Sequence, residues 1–390
     1  MSPSVWRRRA PLACAVAFAA LAALPARADQ LATVATFTGS NGANPLGALL
    51  DVDGTLYGTT ENGGSANDAT VFSLNPTTGA LATVASFTGT NGAGPYAGLI
   101  DVGGMLYGTT YYGGSFNRGT VFSLNPTSGA LATVATFTGG NGANPTAGLI
   151  DVGDTLYGTT YGGGTGYDTE FTYGTVFSLN PTSGAITTLA SFSGGNGGEP
   201  KASLIDVGDT LYGTTSGGGS VDMGLGTVFS FNLTSRTLTR LATFTDTANG
   251  FAPFVDGLLD VGGMLYGTTA FGGTGYGTVF SLDPTSGALT TLESVSGGNG
   301  DEPVGRLVDV GGTLYGTTVG GGSADAGTVF SLTLPPAANV PEPASIALLG
   351  AGLAGLALAR RRARGRRRIA HGGVFSSGRT RAESGGLNAA

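Results

Sequence analysis

Histidine, cysteine and positive charge are all scarce in this chain, and each shortage removes a class of chemistry. Of 390 residues, one is His and one is Cys. His371 follows an arginine-rich run near the C-terminus, and Cys14 sits in an apolar run near the N-terminus. The long body between them has no imidazole and no thiol, which excludes Ser-His-Asp and Cys-His nucleophilic catalysis there, the usual zinc ligand sets and any disulfide. From Asp29 to Asn339 only Arg118, Lys201, Arg236, Arg240 and Arg306 are basic against 23 acids, a formal charge near −18. Such a surface repels a phosphate backbone, so nucleic acid is not expected as a partner. Only 11% of residues are charged and 72 are Gly, yet 41% are hydrophobic, enough to build a core.

Both ends read as address labels. Residues 1–28 place Arg7, Arg8 and Arg9 before an apolar run that closes on Ala26-Arg27-Ala28. That is the pattern of a cleaved secretory signal, with Asp29 as the expected first residue of the exported chain. Pro11, three positions before Cys14, does not fit a lipidation site. At the other end Pro341-Glu342-Pro343 precedes sixteen uncharged residues, Ala344 to Ala359, and then seven arginines between Arg360 and Arg368. As a helix, the apolar run would span roughly 24 Å, just short of a hydrocarbon core, with its basic flank held on the cytoplasmic side.

Pro341, Glu342, Pro343, the apolar run and the cluster opened by Arg360, Arg361 and Arg362 closely resemble the PEP-CTERM protein-sorting signal. The resemblance implies an exosortase-type sorting protease as partner and a transient anchor in the inner membrane of a Gram-negative bacterium. It also implies delivery of the body to the cell surface or extracellular matrix. Such signals usually end soon after the arginines, whereas here residues 369–390 continue as a tail expected to be disordered. The expected division is 1–28 signal, 29–334 repeat body, 335–339 linker, 340–368 sorting segment and 369–390 tail.

Between the ends, four phrases recur in fixed order. LYGTT begins at Leu56, Leu106, Leu156, Leu211, Leu265 and Leu314, each time preceded by a GLIDV-like phrase. TVFSL or TVFSF begins at Thr70, Thr120, Thr175, Thr227, Thr278 and Thr328; a phrase like LATVATF begins at Leu31, Leu81, Leu131, Ile186, Leu238 and Leu289. Each phrase is a short run of β-formers bounded by Gly, Pro or Asn, and the links are tight-turn sequences such as Asp53-Gly54 and NPTSG. Four strands in a meander of about 50 residues have the dimensions of a kelch-like propeller blade. The repeats fall near 31–80, 81–130, 131–185, 186–237, 238–288 and 289–332, which predicts an all-β fold, a six-bladed β-propeller. The chain opens on a fourth strand and closes on a third. Pairing Leu31 to Phe37 with Thr328 to Leu332 is therefore expected to complete the last blade and remove an open edge.

LYGTT, a Gly-Gly pair, GTVF and an NG-x-x-P segment together resemble the GloVer tandem repeat of secreted bacterial proteins, from about Leu31 to Leu332. The resemblance implies an exported protein with a surface anchor and brings no shared catalytic residues.

Where the copies differ, they differ on one side. The step from the Asp of GLIDV to the Leu of LYGTT is five residues in all six copies, whereas 9, 9, 14, 11, 8 and 9 residues separate LYGTT from TVF. In a meander these two links emerge on opposite faces, so one face is constant in length and the other varies, as a binding surface on a rigid frame does. The longest insertion, from Tyr161 to Gly174, supplies Tyr161, Tyr167, Asp168, Glu170 and Tyr173 as ligand-face candidates; aromatic rings beside carboxylates suit sugar stacking or cation capture. Asp168 and Glu170 are also the candidate metal ligands, with Ca²⁺ the cation that hard oxygen donors would select. The repeated acids Asp51, Asp101, Asp151, Asp206, Asp260 and Asp309 read first as acceptors for turn N–H groups, and otherwise as an axial ring for such a cation. No other cofactor is implied. The expected role is non-enzymatic binding or structure at the surface, with exopolysaccharide as a candidate partner. The alternative is a polysaccharide hydrolase or lyase that uses paired carboxylates.

Overall fold

The computed structural model describes residues 33–165, 173–219, 224–245, 248–253, 257–323 and 325–335. The two end segments lie outside that set, including Pro341, Glu342, Pro343, Arg360, Arg361 and Arg362, and so does the 369–390 tail. Among the described residues no helix is long and apolar enough to cross a membrane. They fold into six four-stranded antiparallel sheets, the blades of a six-bladed β-propeller.

Blade 1 shows the plan. Its strands are Leu50–Val52, Thr55–Thr60, Thr70–Leu74 and Leu81–Ser86, hydrogen-bonded in that order. The first hairpin turns at Asp53 and Gly54, with φ of 50° and 80°, the left-handed pair that a two-residue hairpin needs. Asp51 Oδ1 accepts the Gly54 N–H at 2.9 Å, and Asp101, Asp260 and Asp309 do the same in their own blades. The second turn is held by Asn75 Oδ1, which accepts the N–H groups of Thr77 and Thr78. First strands of successive blades approach one another, so the first strand is the inner one. That approach explains a glycine: a Cβ on Gly47 would lie 2.6 Å from the Ala97 carbonyl group of the next blade.

The core lies between blades. Val71 and Phe87 of blade 1 pack with Leu106, Phe122 and Leu124 of blade 2, and Leu50, Val52 and Tyr57 border the same cluster. At each junction an outer-strand Phe meets edge-on a third-strand Phe of the next blade: Phe87 with Phe122, Phe137 with Phe177, Phe192 with Phe229, and Phe244 with Phe280, at 5.0 to 5.2 Å. The mid-strand Gly of LYGTT makes this possible, since a Cβ on Gly108 would lie 2.6 Å from the Phe122 ring. Burying one such ring contributes about 1.5–3 kcal/mol. The last junction departs from the pattern. Val295 replaces the outer-strand Phe, and a cavity of about 50 Å³ remains between it and Phe330.

The last Thr of LYGTT and the first of TVFSL form a buried clasp. Thr60 Oγ1 donates to the Asn62 carbonyl at 2.9 Å and accepts the Thr70 N–H at 3.0 Å, while the two hydroxyls lie 2.9 Å apart. With its one proton committed to Asn62, Thr60 can only accept from Thr70, whose hydroxyl also lies 3.5 Å from the Asn41 carbonyl. The clasp recurs in every blade, as Thr160 with Thr175 and Thr269 with Thr278 for example. Because it closes the base of the variable loop, that loop changes length without disturbing the hairpin below.

The closing strand is the one correction to the expected plan. Among the described residues, Thr33 to Thr38 form no strand, and the third strand of blade 6, Val329–Thr333, pairs only with Thr313–Gly320; Leu31 and Ala32, which open the expected strand, lie outside them. The fourth member of the last sheet is instead the short strand Asp301–Pro303, paired with the far end of Thr313–Gly320. The N-terminal segment is nevertheless seated on blade 1, where Phe37 meets Phe72 edge-on at 4.9 Å as an outer-strand Phe of a preceding blade would. Its packing face is satisfied by blade 1 alone; among the described residues no ladder with blade 6 is made.

Two substitutions test the inter-blade core. Phe122→Ala is expected to destabilise the body by about 3–5 kcal/mol, read from denaturant unfolding. Val295→Phe, which fills the gap beside Phe330, is expected to raise the melting temperature.

Candidate functional site at the variable face

A backbone rung found in successive blades fixes the site. The residue before the Pro of NG-x-x-P adopts positive φ in blades 1, 3 and 4, at Asn44, Asn144 and Glu199 (56° to 57°). Its carbonyl accepts the N–H of the residue that follows LYGTT: Asn44 from Glu61, Gly94 from Tyr111, Asn144 from Tyr161, and Glu199 from Ser216, at 2.9 to 3.2 Å. Two side chains per blade are thereby set at the variable face beside the entrance to the inner strand, one after LYGTT and one after the Pro. They read Glu61 and Leu46, Tyr111 and Tyr96, Tyr161 and Thr146, then Ser216 and Lys201. The frame repeats while its occupants change.

In blades 1 to 4 these occupants touch across blade boundaries. The Tyr96 hydroxyl donates to Glu61 Oε1 at 3.2 Å, and its ring meets Tyr111 edge-on at 5.3 Å. Tyr111 in turn lies 4.5 Å from Tyr112 and 6.5 Å from Tyr161, and Asn144 Nδ2 donates to the Tyr111 carbonyl. Tyr161 lies within the influence of the Glu199 carboxylate, and Lys201 Nζ stands 5.5 Å above its ring centroid. The result is an arc of three tyrosines with a carboxylate at each end.

The electrostatics follow from burial beside negative charge. Burial, then the Glu61 charge and its hydrogen bond, push the Tyr96 hydroxyl up to about 12. Burial raises Tyr111 too, helped by Tyr112 and Glu199, and raises Tyr161 with Glu199 as the next cause. All three therefore stay protonated at neutral pH. Glu61 accepts from Tyr96, and Glu199 from the Ser216 hydroxyl at 3.5 Å.

Of the sequence-predicted residues, Tyr161 lies in the arc. Tyr173 lies apart, flat over Gly194 and Gly198, with its carbonyl accepting the Glu199 N–H at 2.9 Å. Tyr167, Asp168 and Glu170 lie outside the described residues. Among the described residues no three of His, Cys, Asp and Glu gather closely enough to hold a metal. Glu61, Tyr96, Tyr111, Glu199 and Lys201 were not singled out by loop length, because they occupy positions of constant spacing. The signal that marks them is a change of residue type at a fixed place in an otherwise repeated phrase.

The sequence matches the profile of the Gloeobacter/Verrucomicrobia repeat over residues 20–171 and again over 167–341. The chain belongs to that family. Residues 339–362 match the PEP-CTERM protein-sorting motif, which implies export, cell-surface association and processing by exosortase-type machinery. No curated protein matches the sequence. Among solved structures, TolB from Acinetobacter baumannii is 13% identical at a TM-score of 0.40, covering 68% of this chain and 60% of its own. The gluconolactonase XC5397 from Xanthomonas campestris is 17% identical at 0.42, covering 76% and 88%. The extracellular domain of the putative one component system BT4673 from B. thetaiotaomicron is 10% identical at 0.44, covering 72% and 32%. The chain thus spans 60% of the length of the TolB chain.

The arc can be read by its titration. A tyrosine with a raised folded value stabilises the fold fully below its unfolded value near 10 and loses that contribution as pH rises through about 12. Ultraviolet titration of the body is expected to show a late-ionising tyrosine that disappears in Tyr96→Phe.

Proposed function

We propose that the exported body binds a neutral polysaccharide of the cell surface or matrix, without turning it over, at the variable face of blades 1 to 3. The observation that carries this reading is the pair of exposed rings beside the tyrosine arc. Tyr112 is 46% and Phe116 58% exposed, both in the loop after Thr110. A pyranose presents an apolar face that stacks on such rings, and the neighbouring hydroxyl and amide groups can orient its alcohols. The charge near −18 favours a neutral polymer, since an anionic one would need a bridging cation. Glu61 accepts a hydrogen bond from Tyr96 and Glu199 one from the Ser216 hydroxyl, and this favours binding over acid–base hydrolysis at this arc. The sorting motif supports a role at the surface, with an exosortase-type protease acting near Pro341-Glu342-Pro343 to release the body from its membrane segment.

A glycan array probed with and without Ca²⁺ is expected to show calcium-independent retention of neutral glycans. Tyr112→Ala with Phe116→Ala should weaken it by about 1–3 kcal/mol, roughly five- to 150-fold in affinity. Binding confined to anionic glycans in Ca²⁺ would overturn the choice of ligand. Release of new reducing ends from a bound glycan, lost in Glu61→Ala or Glu199→Ala, would overturn the non-catalytic role.

A further inference from the structure

Blade 5 carries aromatic rings at the place in the frame where blade 2 carries Tyr112. In each of five blades the second residue after LYGTT bridges, backbone to backbone, the second residue before the Pro of the preceding segment. The pairs are Asn62 with Ala43, Tyr112 with Ala93, Gly162 with Ala143, Gly217 with Gly198 and, in blade 5, Phe271 with Phe251. Phe271 is thus the frame equivalent of Tyr112. Blade 5 differs from the other four in that the facing residue is aromatic too; the two rings lie 5.4 Å apart, 30° from parallel, and both are partly exposed.

Tyr276 extends the patch. It is 41% exposed, and its ring rests over the turn of blade 6, where a Cβ on Gly297 would lie 3.4 Å from it. Its backbone is fixed, because its carbonyl accepts the Glu302 N–H at 3.1 Å. The loop that bears Phe271 and Tyr276 joins Met264–Thr269 to Thr278–Leu282 and is the shortest of the variable loops, at eight residues. It is also tied to itself and to the next strand: the Gly272 carbonyl accepts the N–H groups of Gly275 and Gly277 at 2.9 and 3.1 Å, and the Thr274 hydroxyl donates to the Val295 carbonyl at 2.6 Å. Rings held on so short a loop need little further ordering to meet a ligand. Among the described residues none of the three enters the clusters that join blade 5 to its neighbours, so packing of the frame does not account for them.

We propose that Phe251, Phe271 and Tyr276 form a second subsite for the neutral polysaccharide, and that the protein is divalent, bridging two polysaccharide strands. The class of ligand rests on the reading of blade 2 given above, whereas the second subsite has its own observation in blade 5. Stacked and exposed rings suit the apolar face of a pyranose here as they do at Tyr112 and Phe116. From Leu241 to Gly277 the chain has no Lys or Arg, and Asp301 and Glu302 lie in the segment that the Tyr276 carbonyl holds, so an anionic polymer is disfavoured. Blades 2 and 5 stand three apart in a series of six, half a turn about the axis, with both patches on the variable face. A polymer repeats its own unit, so one chemistry fits it at both places and the two contacts reinforce each other.

Affinity electrophoresis of the full-length protein through native gels containing dextran, galactomannan or hydroxyethylcellulose tests the proposal. Calorimetric titration with isomaltohexaose, mannohexaose or cellohexaose counts the sites. The hexasaccharide of the polymer that retards the protein is expected to fill two sites per chain, and one in Phe271→Ala with Tyr276→Ala. The same variant should lose roughly tenfold or more in apparent affinity for the polymer, where both sites act together. Tyr276→Ala alone, at an exposed position that leaves the Phe251–Phe271 pair intact, should reduce retardation in the same direction, which keeps the test open if the double variant does not fold. One hexasaccharide per unaltered chain, with retardation unchanged by Tyr276→Ala, would overturn the second subsite and leave the reading of blade 2 standing. Retardation lost in the blade 5 variants but kept in Tyr112→Ala with Phe116→Ala would overturn the reading of blade 2 and divalency with it. Retardation by none of the three polymers would overturn both.

Discussion

Each blade leaves an apolar face that only another blade can cover, and the rest of the molecule is organised around that need. A four-stranded sheet of this length has too little interior of its own; its Phe, Leu and Val side chains find partners across the junction, not within the blade. The edge-on phenylalanine pairs are the fixed points of these junctions, recurring from Phe37 with Phe72 to Phe244 with Phe280 within a few tenths of an ångström. The glycine of LYGTT, which makes room for one ring of each pair, belongs to the same constraint. Packing explains why one phrase is written six times with so little drift.

The repetition also frees the opposite face. With each loop clasped at its base by two threonines and each rung fixed by a backbone hydrogen bond, the residues above can change type or number at small cost to the frame. The tyrosine arc arose within that freedom. Tyr96, Tyr111 and Tyr161 occupy places that hold Leu46, Glu61, Thr146 and Ser216 in other repeats, and they acquire one another as neighbours only because adjacent blades bring equivalent positions together. Their raised ionisation and the hold of Tyr96 on Glu61 are consequences of that neighbourhood.

Much of this was legible in the linear chain. Strand phrases, turn chemistry, the count of six and the separation into a constant and a variable face all follow from local spacing, because each phrase carries its own β pattern and turn residues. Tyr161 was legible because it opens a long insertion. Tyr96 and Lys201 were not, since each follows a Pro at unchanged spacing and gains meaning only beside a residue of another blade.

The sequence by itself determined the blade, its repetition and the sorting motif near the C-terminus, all of which rest on short-range pattern. Only the tertiary structure decided how the series ends. A third strand at one terminus and an outer strand at the other make a ladder available, but whether they meet depends on how all six junctions add up in space. In this structure Phe37 is held by blade 1 while Val329 stays open, because packing against one neighbour does not oblige a segment to pair with the other.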